Sequence, residues 1–334
     1  MARVLITRKL PLEAEQVLRA AGFEVTVGAE DRNLKRDELV AALKRGYDGV
    51  IQMLSDKIDA SVIEAASPPC RIFANYAVGF NNVDLDAATN KKVFVTNTPG
   101  VLTDTTADLA WTLIMACARR IVEADRFLRR ESSTGLPGWN GWQGWESMQM
   151  LGVDVHGKTL GIIGAGRIGT EVARRATGFK MRIVYHSEEA NLEVEKQMSA
   201  ARVDLETLLK ESDFVSLHVP LTPETKHMIG ARELGMMKPT AVLINTARGP
   251  VVDERALVEA LSTGRIRAAG LDVYENEPKL QAGLVALDNV VILPHIGSAT
   301  GETRGAMARM AAENVVAALS GRTPPNLVNT QVSA

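Results

Sequence analysis

At 334 residues the chain is long for a single hydrophobic core, which favours two domains of roughly 150 residues each. A composition of 46% hydrophobic and 23% charged residues excludes a disordered polymer, and a formal net charge of -2 without a dense basic run argues against nucleic acid as a partner. No apolar run approaches the roughly 20 residues that span a bilayer, and the stretch around Arg3, Arg8 and Lys9 is too short for a signal-peptide core, so no membrane partner is expected. Cys70 and Cys117 lie in apolar surroundings without CxxC spacing and read as buried thiols of a cytoplasmic protein.

The first hundred residues alternate short β-rich runs with helical patterns, as a parallel sheet covered by helices requires. VLIT (4–7), FEVTV (23–27), GVIQM (49–53), RIFAN (71–75) and VFVTN (93–97) are the predicted strands. LEAEQVLRAAG, RDELVAALKRG and DASVIEAAS are the helices between them, with Gly22 and Gly46 where C-terminal caps belong. This half is a doubly wound unit without a phosphate loop. Next comes one long helix from Thr103 to about Arg130, whose stripe is Ala107, Ala110, Trp111, Ile114, Met115, Ala118, Ile121 and Val122. GLPGWNGWQGWESMQMLG follows, too irregular for regular structure and rich in tryptophan, as functional or interface segments tend to be.

A second alternating series starts at Thr159, with TLGIIG, RIVYH, FVSLHV, AVLIN, RAAGLDV and VVILP as strands. Directly after the first of these, GIIGAGRIG places Gly164, Gly166 and Gly169 ahead of the helical pattern RIGTEVARRATGF. Strand, glycines and helix in that order form the dinucleotide fingerprint. The first glycine permits the tight turn, the second lets a pyrophosphate approach the backbone, and the third lets helix and strand pack closely. The helix N-terminus, at Arg167 and Ile168, adds unpaired N–H donors. Where an acidic partner for the adenosine ribose is expected, the sequence offers His186 and Ser187, then Glu188 and Glu189, with no Asp and no adjacent cation for a 2′-phosphate. Those carboxylates favour NAD slightly over NADP, although His186 and Arg167 suit either.

Three later motifs stand at strand ends, where open α/β sheets bind ligands: NTARGPVVDE (245–254), LDVYENEP (271–278) and LPHIGSAT (293–300). Reduction of a 2-oxo acid, the reaction that these motifs imply through a family resemblance, requires a cation for the carboxylate, a proton donor for the developing alkoxide and a dry pocket. Arg248 suits the first task through its planar guanidinium, His295 the second, and Glu277 is the carboxylate that favours the protonated imidazole. No His, Cys or carboxylate cluster has metal spacing.

With the glycine loop, these motifs closely resemble the D-isomer-specific 2-hydroxyacid dehydrogenase family over essentially the whole chain, and NYAVGFNNVD (75–84) with WNGWQGWESM resembles its glyoxylate and hydroxypyruvate reductase branch. The resemblance implies two doubly wound α/β domains: a Rossmann dinucleotide-binding domain over 101–297, inserted in a flavodoxin-like substrate domain of 1–100 and 298–334, with the last helix (301–319) crossing back to the first domain. It implies that the Val78 and Gly79 amides bind the substrate carboxylate, with Leu54 and Ser55 on the same side. Asp272 resembles the residue that orients the nicotinamide carboxamide. Thr106, Val219, Pro220, Thr225, Thr246, Ala247 and Gly297 match loops that touch the cofactor. Related reductases insert a tryptophan of this loop into the neighbouring subunit's site, which makes Trp142 a substrate contact in a homodimer, with Trp139 and Trp145 as alternatives. The implied reaction is reduction of glyoxylate or hydroxypyruvate by NAD(P)H. Alternatives on the same scaffold are a corepressor-like dinucleotide sensor or a dehydrogenase for 2-ketogluconate, phosphite or formate.

Overall fold

The computed structural model describes residues 1–28, 31–132, 142 and 144–332, which divide into two compact units, Met1–Leu102 with Ser298–Ala334 and Thr103–Gly297. In the first unit β1 (Arg3–Ile6), β2 (Glu24–Val27), β3 (Gly49–Gln52), β4 (Ile72–Asn75) and β5 (Phe94–Thr96) form one parallel sheet in the order β2-β1-β3-β4-β5. β3, β4 and β5 are buried throughout, as strands covered on both faces must be. The covering helices are α1 (Glu13–Ala20), α2 (Arg36–Leu43), α3 (Ala60–Ala66) and α4 (Leu85–Asn90). Asp59 and Asp84 cap the last two, accepting backbone N–H groups of their first turns. Gly22 and Gly46, at φ +79° and +76°, close α1 and α2 in the left-handed conformation their sequence positions predict. The chain reverses its direction of travel across the sheet between β1 and β3, and Leu54 with Ser55, and Val78 with Gly79, follow the carboxyl ends of β3 and β4.

The second unit opens with α5 (Thr103–Ala118) and α6 (Ile121–Ser132), two helices where the sequence predicts one. The break has a local cause. Arg120 adopts φ +52°, its guanidinium pairs with Glu123, and the Ala118 carbonyl accepts the Val153 N–H at 2.9 Å. Gly152 packs so closely on that carbonyl that an added Cβ would lie 2.3 Å from its oxygen. The predicted stripe is buried as far as Ala118, apart from the half-buried Met115, but Ile121, past the break, is 54% exposed. Trp111 anchors α5, stacking on Phe179 with ring centroids 4.7 Å apart and donating to the Val172 carbonyl.

There follow β6 (Thr159–Ile163), α7 (Arg167–Gly178), β7 (Arg182–His186), α8 (Leu192–Met198), β8 (Ala201–Arg202), α9 (Leu205–Glu211), β9 (Phe214–Leu217), α10 (Ala231–Met236), β10 (Val242–Asn245), α11 (Glu254–Ser262), β11 (Ala268–Leu271) and β12 (Val290–Ile292). Their seven strands are all parallel, in the order β12-β11-β10-β9-β6-β7-β8. The short β8 is an addition to the predicted set. The order reverses between β6 and β9, the switch point where such sheets bind ligands. Both cysteines are buried, and burial pushes each thiol up to about 12. The last helix, α12 (Gly301–Leu319), packs on α1, β3 and β4 of the first unit. No described helix is long and apolar enough to cross a membrane.

Candidate active site

The carboxyl ends of β10, β11 and β12 bring Arg248, Asp272, Glu277 and His295 into one electrostatic neighbourhood. Asn245, buried at the end of β10, shapes the turn to Arg248: its Oδ1 accepts the Ala247 N–H at 3.0 Å and its Nδ2 donates to the Arg248 carbonyl at 3.0 Å. Burial pulls the Arg248 guanidinium below its ordinary value, and the Glu277 charge works in the opposite direction. Gly249 continues this turn against the loop after β11, where a Cβ would lie 1.8 Å from the Tyr274 carbonyl carbon.

That loop presents Glu277, whose Oε1 accepts the Tyr274 N–H at 3.0 Å and whose Oε2 lies 3.0 Å from His295 Nδ1. Burial pushes the Glu277 carboxyl up. The hydrogen bond and charge of His295, the Tyr274 N–H and Arg248 outweigh it, so the group lies below its ordinary value. With Nδ1 committed to Glu277, Nε2 is the ring atom left for a reactant. His295 adopts φ +56°, a left-handed conformation costly for a residue with a side chain. Asp272, 1% exposed, holds this turn by accepting the Ile296 N–H at 2.7 Å and the Gly297 N–H at 2.8 Å. Burial nonetheless pushes its carboxyl up. Thr106 Oγ1 donates to the Gly297 carbonyl at 3.1 Å.

The glycine loop lies at the switch point of the same sheet. Gly164, at φ +95°, leaves no room for a side chain beside His218 and Val219, and a Cβ on Gly169 would meet the Gly164 carbonyl oxygen at 2.2 Å. Gly166 is different, because a Cβ there would meet nothing within 4 Å. Its open side, at the N-terminus of α7, is where a diphosphate can approach unpaired N–H groups of Arg167, Ile168 and Gly169. Ser187 Oγ accepts the Ala165 N–H at 2.6 Å, and His186 Nδ1 lies 3.2 Å from the Val203 carbonyl oxygen, which fixes the end of β7 beside the loop. On the other side, Thr225 Oγ1 donates to the Pro220 carbonyl at 2.7 Å. Thr246 Oγ1 and His218 Nδ1, at the ends of β10 and β9, are buried without hydrogen-bond partners among the described residues. A cradle open at one glycine and two orphaned polar atoms at neighbouring strand ends fit a bound dinucleotide.

Arg202, on β8, was not among the expected residues. Pairing of β7 with β8 aligns it with Tyr185, and its Nη2 donates to the Ser187 carbonyl at 2.9 Å and to that of Glu188. A cation therefore does stand beside Ser187 and Glu188, where the local sequence offers none. No signal marks it, since it is 14 residues from Glu188 and on a strand of two residues.

In the first unit, Asn97 Nδ2 donates to the Val78 carbonyl at 2.7 Å and Asn75 Nδ2 to the Gly79 carbonyl at 2.6 Å. Those bonds orient both peptides, while the Val78 and Gly79 N–H groups donate to no acceptor among the described residues. Ser55 Oγ accepts from Arg8 at 2.9 Å, and Leu54 beside it is partly exposed. Trp142 and Trp145 are 45% and 84% exposed, and Trp139 lies outside the described residues.

Known proteins resemble this chain over nearly its whole length. A family model described as the NAD-binding domain of D-isomer-specific 2-hydroxyacid dehydrogenases matches residues 111–297. A glyoxylate reductase of Thermococcus onnurineus is 50% identical over 331 residues, covering 99% of this chain and 96% of the relative. A crystal structure of a Thermus thermophilus protein superimposes with a TM-score of 0.89 at 46% identity, covering 98% of this chain and 99% of that one. A Sinorhizobium meliloti NADPH-dependent glyoxylate/hydroxypyruvate reductase, solved with NADP and malonate, superimposes with a TM-score of 0.82 at 31% identity, covering 100% of this chain and 98% of that one. The chain belongs to the D-isomer-specific 2-hydroxyacid dehydrogenases and is an NAD(P)-dependent oxidoreductase.

Proposed function

We propose that this chain reduces a small 2-oxo acid, glyoxylate or hydroxypyruvate, to glycolate or D-glycerate. The observation that carries the reading is the 3.0 Å contact of His295 Nδ1 with Glu277 Oε2, within electrostatic reach of Arg248 and in the same unit as the glycine cradle. When bound, a reduced nicotinamide dinucleotide supplies the hydride that reaches C2 of the substrate. Arg248 holds the substrate's carboxylate and polarises its carbonyl. His295 Nε2 gives its proton to the C2 oxygen as that oxygen gains charge, and Glu277 stabilises the imidazolium before the transfer. Asp272 and Thr106 hold the turn that carries the imidazole. The Val78 and Gly79 amides, with Leu54 and Ser55, are assigned to carboxylate binding, and Trp142 to a substrate contact in a cytoplasmic homodimer.

For the cofactor, Gly164, Gly166, Arg167, Ile168 and Gly169 take the diphosphate, and His186, Ser187 and Glu188 face the adenosine ribose. Val219, Pro220, Thr225, Thr246, Ala247 and Gly297 line its remaining path. Glu188 favours NADH and Arg202 accommodates NADPH, so we assign NADH as preferred and NADPH as usable. A corepressor-like sensor has no need of a proton donor paired to a carboxylate, so that contact speaks for catalysis. The deciding experiment is kcat/KM for glyoxylate, hydroxypyruvate and 2-ketogluconate with NADH and NADPH in parallel. Turnover of the first two above the third supports the reading, and absence of turnover with all three refutes it.

A further inference from the structure

Glu254 is the first residue of α11, and it faces inward at 2% exposure. It is not needed as a helix cap, because the preceding Asp253 already accepts the Ala256 N–H at 3.0 Å. Its Oε1 instead accepts the N–H of Glu275 at 2.8 Å, across 21 residues of sequence, and its Oε2 is buried without a hydrogen-bond partner among the described residues. A carboxyl group in such a place is expensive: burial pushes it up, as do the charges of Glu275 and Glu277, against the pull of the Glu275 N–H. An apolar residue would fill the space at lower cost, so the bond that Glu254 makes to Glu275 is the feature to explain.

That bond falls in the middle of the segment presenting Glu277. Tyr274 is pinned on one side by Gly249 and through its hydroxyl by the Leu293 carbonyl at 2.7 Å. Its N–H goes to Glu277 Oε1 at 3.0 Å. The Glu275 side chain turns away to His227 Nε2 at 2.7 Å. Of the peptides between Tyr274 and Glu277, Glu275 is the one tied by its N–H to a regular helix of the unit.

We propose that Glu254 is a positioning residue of the active site: from the first turn of α11 it grips the Glu275 N–H and so holds Glu277 against His295. Its kinetic consequence rests on the reductase reading above, whereas its structural consequence does not. The function is that of an acceptor at a fixed distance. Glutamine preserves that acceptor without the charge, whereas aspartate preserves the charge but withdraws the oxygen by about 1.5 Å, one bond length.

The test compares E254Q, E254D and E254A in crystal structures and in steady-state kinetics, with NADH affinity measured by fluorescence. E254Q is expected to keep the 3.0 Å Glu277–His295 contact and to stay within about threefold of wild-type kcat/KM. E254D and E254A are expected to open that contact and to lose about 10- to 100-fold in kcat, with NADH affinity within about twofold. A merely structural residue would lower the yield or the melting temperature of all three without this split. If E254A does not fold, the contrast of E254D with E254Q decides. The proposal falls if E254Q is as impaired as E254D, or if E254D and E254A keep the contact and the wild-type kcat. If the wild type reduces no 2-oxo acid, the reaction is wrong, and the Glu277–His295 distance in the variants still decides the positioning role.

Discussion

Replacing Gly249 with alanine would put a methyl carbon 1.8 Å from the carbonyl carbon of Tyr274 and 2.4 Å from the Glu275 nitrogen. Both obstacles are backbone, so no rotamer change relieves them. Moving 1.8 Å out to an ordinary contact of about 3.4 Å demands a shift of about 1.6 Å. If the two segments share it equally, Glu277 retreats by about 0.8 Å and its 3.0 Å bond to His295 stretches to about 3.8 Å, beyond hydrogen-bonding distance. The overpacking costs about 1–3 kcal/mol of stability, and misplacing the proton donor's partner costs about 10² in kcat/KM for glyoxylate. The assay is the loss of NADH absorbance, run beside a fluorescence titration of NADH. Cofactor affinity is expected to hold within about twofold, because the glycine cradle belongs to β6 and α7. A Gly249→Ala enzyme with wild-type kcat/KM would refute the reasoning, as would a loss confined to NADH affinity.

Gly166→Ala tests the cradle in the opposite way, since the new methyl meets nothing in the protein. Melting temperature should barely move while NADH binding weakens by about tenfold or more, about 1.4 kcal/mol, and unchanged affinity would contradict a diphosphate at that face. Arg202→Gln should weaken NADPH about tenfold more than it weakens NADH, because a 2′-phosphate loses a cation whose other bonds, to the Ser187 and Glu188 carbonyls, are common to both cofactors; equal effects on both cofactors would remove that role. Glu277 lies below its ordinary value, so its ionised form and its bond to His295 persist as the pH falls through the usual glutamate range and fail only below it. The kcat/KM profile should therefore show no Glu277-dependent loss between about pH 7 and about pH 5. An acid limb above the ordinary glutamate value that disappears in Glu277→Gln would contradict this.

What the residues reveal before folding depends on how local the signal is. The meeting of Arg248, Glu277 and His295 is legible because each follows a parallel strand, at the sheet edge where a cation and an acid-paired imidazole can serve one ligand. The glycine loop is legible because Gly164 and Gly169 each answer a steric requirement of the fold while Gly166 leaves the helix N-terminus open. The continuous helix through Arg120 is misread because its apolar spacing carries past the break, whereas the stop comes from Gly152 and Val153 closing on the Ala118 carbonyl, a contact 34 residues away. Arg202 is invisible for a similar reason, since only the register of β7 with β8 brings it to Ser187. Glu254 stands inside a quoted motif, NTARGPVVDE, yet nothing in that motif announces an acceptor for an amide beyond the next strand.

The return of α12 to the first unit has a consequence for synthesis. Thr103–Gly297 is one uninterrupted stretch, and it can collapse as soon as it clears the ribosome. The earlier residues must wait. Val95 needs the Asn329 side chain for its amide, and Asn97 donates its amide to the Asn326 carbonyl, so the sheet made first is finished last. A nascent chain halted before Ser298 should therefore carry a folded insert behind a protease-sensitive leader, and trimming the C-terminus should unravel the amino-terminal sheet before it disturbs the nucleotide fold.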